Sequence, residues 1–201
     1  PSSPAAFKHT SLLLHLLAGM LVLWLVLLLE RDVLAGPPRR AFAVAALATG
    51  FWLLNPAFAG TVFYVAQRMS ILAALCVLAG LVAWTRGRCR LVEHRRGALV
   101  TMSLALVLGT GFGVAAKENA ILLPLLAGVL EWCLFRPRAA RFGRLPIAWT
   151  AVFIALPIAA AAGYLLLNVE RYAAAYATLG MTPVERLLTE ARVLFAYLHQ
   201  L

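Results

Sequence analysis

Charged side chains are scarce in this sequence and acidic ones scarcest: 13% of its 201 residues are charged, with 8 Asp and Glu against 18 Lys and Arg. A soluble domain carries charge on roughly a quarter of its residues, so a water-solvated globule is excluded. With 63% of residues hydrophobic, lipid is the expected solvent for most of the chain. Cysteine is nearly missing, and the 3 present (Cys76, Cys89, Cys133) are too widely spaced for a disulfide framework or a zinc site. Internal repeats, low-complexity tracts and a second, soluble domain are also missing. So is a small-residue cleavage site before Glu30-Arg31-Asp32, which argues against a signal peptide and for a permanent first span. A net charge of +10 would suggest nucleic acid on a soluble face. Here the basic residues stand in short loops between apolar runs, so orientation in a membrane explains them and no nucleic-acid partner is expected.

What the sequence has in abundance is long apolar runs. Leu12 to Leu29 contains 13 Leu or Val residues and one ionisable group, His15; at the usual per-residue values, insertion gains roughly 4 to 8 kcal/mol. Runs near the 20 residues a bilayer needs fall at Ser11 to Leu29, Ala41 to Ala66, Ile71 to Trp84, Ala98 to Ala116, Ile121 to Phe135 and Ile147 to Leu167. The fold class is therefore all-α, a polytopic transmembrane helical bundle of six to seven spans forming a single domain over residues 1–201. The chain reads as part of a longer one, since residue 1 is proline and Leu201 falls within an apolar pattern. The second run is interrupted at Asn55-Pro56, where proline removes a backbone donor and disfavours helix in the residue before it, so a kink or break is expected.

Alternating the loops puts Arg31, Arg39, Arg40, the Arg86 to Arg96 cluster and the Arg136 to Arg144 cluster on one side, 12 of the 18 cations. The positive-inside rule makes that side cytoplasmic. The other side then receives three polar groups: Gln67-Arg68, Lys117-Glu118-Asn119, and Glu185 to Arg192. Cations at span ends commonly snorkel as anchors. Alternatively Arg68, Lys117 and Arg192 form a cationic pocket for a phosphate, oriented by Glu118 or Gln67, arginine supplying a fork and lysine a point charge. Lys117-Glu118 could equally be a structural ion pair. Thr182-Pro183-Val184-Glu185 has the pattern of a helix start with a capping box. The helix it opens could lie in the outer interface. Gly109-Thr110-Gly111-Phe112-Gly113 lacks the Lys-Ser/Thr of a phosphate loop and suits close helix packing. His15 is expected to bond a neighbouring helix, and Tyr164, Tyr172 and Tyr176 suit an aromatic belt.

Four stretches carry a resemblance. The stretch Asn55 to Leu75, with Asn55-Pro56, Gln67-Arg68 and Leu72-Ala73-Ala74-Leu75 in order, resembles the His-Pro, Glu-Ala-Val-Ala-Tyr, Gln-Arg and Leu-Ala-Ala-Leu pattern of the bacterial relatives of transmembrane O-mannosyltransferases with tetratricopeptide repeats. Phe7 to Leu17, Ala116 to Pro124 and Glu185 to Leu194 are further matches, so the likeness covers most of the chain. Asn55 stands where that family has histidine, and Ala57 to Gly60 lacks its acidic residue.

The resemblance implies the GT-C glycosyltransferase fold and transfer of a sugar from a polyprenyl-phosphate carrier to a protein or glycan acceptor outside the cytoplasm, in a bacterial inner membrane with the site facing the periplasm. Arg68, Lys117 and Arg192 would hold the carrier phosphate, with Gln67 and Glu118 beside them. The catalytic acid-bearing loop of such enzymes would precede Pro1. No cofactor is required by these residues, although a divalent metal is compatible with them. The competing classes are a transporter, disfavoured because the spans are nearly free of charge at mid-depth, and a non-catalytic anchor for a repeat domain.

Overall fold

The computed structural model describes residues 4–58, 67–171, 174 and 182–199, and every regular element among them is helical. We number them α1 (Pro4–Leu28), α2 (Pro38–Leu54), α3 (Arg68–Cys89), α4 (Arg95–Ala116), α5 (Glu118–Phe142), α6 (Ile147–Leu167) and α7 (Pro183–His199). With its continuation to Val33, α1 is one of 5 helices long and apolar enough to cross a membrane, the others being α3, α4, α5 and α6. The chain is thus a helical membrane protein. The second expected span is shorter than its apolar run: α2 has 17 residues, or about 25 Å of rise against roughly 30 Å of hydrocarbon. It stops where proline dictates. Asn55 is extended (φ −62°, ψ 118°) and Pro56 opens a 3-10 turn to Phe58. Residues 59–66 of that run lie outside the described residues.

Named contacts give each helix its direction. Glu30 pairs with Arg40 at 3.7 Å, and His15 Nε2 lies 3.3 Å from the Leu53 carbonyl, so α1 and α2 are antiparallel. Phe7 meets Arg68 while Trp24 meets Arg86, so α3 runs parallel to α1. Helix α4 returns along α3, α5 follows α3 again, and α6 comes back with Trp149 Nε1 donating to Ser103 Oγ at 2.9 Å. The arginine-bearing turns consequently share one end of the bundle. Arg31, Asp32, Glu93 and Arg141, from three separate turns, line one cavity there.

Between lipid-exposed helices, association rests on packing rather than on transfer out of water. Small residues let α3, α4 and α5 approach. A methyl on Gly109 would stand 2.6 Å from Leu123 Cδ2 and 3.2 Å from the Cys76 carbonyl oxygen; on Gly113 it would stand 2.5 Å from Ala120 Cβ. Gly111, on the other face of α4, has open space. The glycine-rich stretch is therefore a helix-packing seam. Trp84, Met102, Leu123 and Phe135 are fully buried in the core cluster.

Arg88 corrects the expectation that the whole Arg86 to Arg96 cluster lies in a loop. Helix α3 continues to Cys89 rather than ending at Trp84, and Arg88 has no exposed surface. Its Nε and Nη2 donate to the two carboxylate oxygens of Glu131 at 2.7 and 2.9 Å; Nη1 donates to the Phe142 carbonyl at 2.6 Å and Nη2 also to that of Gly143 at 2.9 Å. The fork joins α3 to the middle of α5 and caps the last turn of α5, where the chain reverses at Gly143 with φ of 69°. Removing one partner of such a pair leaves a buried charge alone, at roughly 3 to 5 kcal/mol. Arg88→Ala and Arg88→Lys are both expected to lower the unfolding midpoint in detergent sharply, because lysine cannot reproduce the fork. A Lys variant as stable as the native protein would contradict this.

Candidate functional site

At the end of the bundle opposite the arginine-rich turns, the starts of α1 and α3 meet the junction of α4 and α5. Arg68 is the first residue of α3. Its guanidinium lies 3.6 Å over the Phe7 ring, and Nη2 donates to the Phe7 carbonyl at 3.1 Å. This stacking clasps α1 to α3. Arg68 Nε is buried and, among the described residues, has no partner.

Lys117 has extended backbone (φ −160°, ψ 140°) between α4 and the 3-10 turn that opens α5. Its N–H donates to the Gly113 carbonyl at 2.8 Å and its own carbonyl accepts from Ala120 at 3.2 Å, so the residue is fixed from both sides. Nζ donates to Ser70 Oγ at 2.8 Å, and that hydroxyl donates to Gln67 Oε1 at 2.9 Å. An ammonium only donates, so Ser70 must accept from it and pass its own hydrogen onward. That fixes the Gln67 amide with its oxygen turned to Ser70 and its NH2, among the described residues, without a partner. Lys117 likewise keeps two N–H groups beyond the one given to Ser70.

Gln67, Arg68 and Lys117 are thus brought to one place, with Ser70 as the link that sequence reasoning missed. Ser70 stands three residues after Gln67 at the start of a helix, which puts both on one face; that spacing was the available signal. Glu118 is exposed and, among the described residues, forms no ion pair with Lys117, so the alternative of a Lys117-Glu118 bridge is not realised. Arg192 is exposed on α7, and no hydrogen bond or ion pair among the described residues joins it to Arg68 or Lys117. On the same side of the bundle His15 stacks on Trp52 with centroids 4.7 Å apart and bonds the neighbouring helix, as expected. Tyr164 is exposed near the end of α6, and Tyr172 and Tyr176 lie outside the described residues.

No family model, curated protein or solved structure matches this chain. The functional reading therefore rests on the residues and their geometry. Three of the four stretches that carry the resemblance supply this cluster: Phe7 from the first, Gln67, Arg68 and Ser70 from the second, and Lys117 from the third.

The fourth stretch forms a cap. Thr182 N–H and Oγ1 donate to Glu185 Oε2 at 2.7 and 3.0 Å, and Glu185 N–H donates to Thr182 Oγ1 at 3.2 Å, the reciprocal bonding of a capping box. Glu185 is occupied as a helix cap rather than offered to a ligand. The Thr182 backbone N–H, and secondly its hydroxyl, hold the Glu185 carboxyl below the usual glutamate range. A depressed value means that the cap contributes fully above the ordinary glutamate pKa and is lost as pH falls through the lowered one. Following the Glu185 carboxyl resonance against pH should show titration below an ordinary glutamate, moved upward by Thr182→Ala. Identical titration in both proteins would remove the Thr182 hydroxyl as a cause and leave the backbone N–H alone.

Proposed function

We propose that this chain is the membrane portion of a GT-C-type glycosyltransferase, which moves a sugar from a polyprenyl-phosphate carrier to a protein or glycan acceptor on the side opposite the arginine-rich turns. The observation that carries the reading is the Lys117-Ser70-Gln67 relay beside Arg68, a set of hydrogen-bond donors at one end of a bundle whose middle is almost uncharged. Such a set suits a phosphate, an acceptor of hydrogen bonds that also carries charge.

In the transfer, an acceptor hydroxyl gives its proton to a carboxylate base and attacks the anomeric carbon with inversion, the bond from that carbon to the phosphate oxygen breaks, and polyprenyl phosphate departs with the electron pair. Lys117 would bind that oxygen as its charge grows, which stabilises the transition state more than the bound donor. Gln67, held by Ser70, would add its NH2, and Arg68 its positive charge.

A non-catalytic anchor is the second reading, and the clasp of Arg68 on Phe7 favours it, since that guanidinium already has a structural task. Lys117 separates the two. Binding of a polyprenyl-phosphate sugar by purified full-length protein is expected to weaken about ten- to a hundredfold in Lys117→Gln, the effect of one charge-assisted hydrogen bond, with the unfolding midpoint nearly unchanged. No saturable binding by folded native protein would leave the anchor reading.

Orientation is tested separately. With the native cysteines replaced, a cysteine at Thr182 is expected to react with an impermeant maleimide on intact cells, and one at Glu93 only after permeabilisation. The reverse pattern would place the relay on the cytoplasmic side and remove the proposed topology.

A further inference from the structure

The arginine-rich end holds a cleft of about 560 Å³ between α5 and α6 that the proposed transfer does not use. Its size falls within the ~300 to 1,000 Å³ of small-molecule sites. Trp132 on α5 and Ala151 and Ile154 on α6 give it an apolar wall, and Arg136 and Arg144 stand at its mouth. The two helices touch at Gly128, where an added methyl would lie 3.0 Å from Ile154 Cγ2. Toward the arginines each widens into a π turn, Glu131–Phe135 in α5 and Ala151–Ala155 in α6, a local geometry that often marks functional positions.

The cleft is held open by bonds rather than left by loose packing. Trp149 ties the start of α6 to Ser103 of α4, and Arg88 holds the Gly143 carbonyl of the connecting turn. The charge balance at its mouth is one-sided. Glu131 lines the cleft, but Arg88 engages both its oxygens. Arg136 and Arg144 are exposed and make no ion pair among the described residues. Arg136 Cζ lies over the Trp132 ring, 4.1 Å from its centroid, and no hydrogen bond of its guanidinium is found among the described residues.

An apolar slot with two uncompensated guanidiniums and a tryptophan at one end is complementary to a molecule with a phosphate head and a hydrocarbon tail. A helix packed there would leave both charges unmatched unless it carried acids. Basic pockets between transmembrane helices hold lipid phosphates in this way, and tryptophan belongs at that depth. We propose that this cleft binds an anionic phospholipid, its phosphate between Arg136 and Arg144 and one acyl chain along Trp132, Ala151 and Ile154. The site is independent of the sugar-transfer reading.

Native mass spectrometry of the full chain in neutral detergent, with added phosphatidylglycerol, tests this. One retained lipid per chain is expected, with phosphatidylcholine retained far less. The Arg136→Gln/Arg144→Gln double variant should bind on the order of tenfold more weakly or worse. Arg95→Gln/Arg96→Gln removes the same charge from the same end but outside the cleft, and should bind as the native protein does. Ala151→Trp keeps both arginines, fills the slot and should also lose the lipid. Equal retention of the two lipids, equal loss in both arginine doubles, or unchanged binding in Ala151→Trp would overturn the proposal. Displacement of the lipid by millimolar inorganic phosphate would assign the site to a free anion instead.

Discussion

A buried guanidinium organises one end of this protein. Arg88 gives up water altogether, which is tolerable only because its donors meet a carboxylate and two carbonyls at hydrogen-bonding distance. Each partner lies on a different piece of chain: the π turn of α5, its last turn, and the glycine that reverses direction. One side chain therefore sets the depth of α3, the register of α5 against it, and the point from which α6 departs. It also cancels the charge of Glu131, so that Arg136 and Arg144 have no counter-ion among the described residues.

The seam of small residues carries this register along the bundle. Leu123 sits over Gly80 and Gly109, and Ala120 against Gly113, so α5 can occupy only one position along α3 and α4. The extended backbone of Lys117 begins three residues before Ala120. The place of its ammonium near Ser70 is thus a consequence of glycines more than a turn away. Chemistry at one end and packing in the middle are parts of one constraint.

Hydropathy made the helices legible but not their ends. Ile71 to Trp84 reads as a short span because Arg86 and Arg88 look like loop charges; the helix continues through them since Arg88 finds partners that are 43 to 55 residues distant in sequence. Widened turns in α5 and α6 leave no local mark in an apolar run. The break at Asn55-Pro56 and the capping box at Thr182 were legible, because proline and a Thr/Glu pair act through the residues beside them. Of the candidate site, the residue types and the shared end could be read, whereas Ser70 and the separation of Arg192 from the cluster depend on how the helices come together.

The relay from Lys117 through Ser70 to Gln67 has a direction. Hydrogens point from the ammonium to the hydroxyl and from the hydroxyl to the amide oxygen, so the groups left at the two ends of the relay are the remaining N–H groups of Lys117 and the NH2 of Gln67. An oxyanion would meet donors at both ends of one short line of bonds. The direction of a single serine hydroxyl thereby decides which end of the amide is left for a ligand, set by the folded chain before anything arrives.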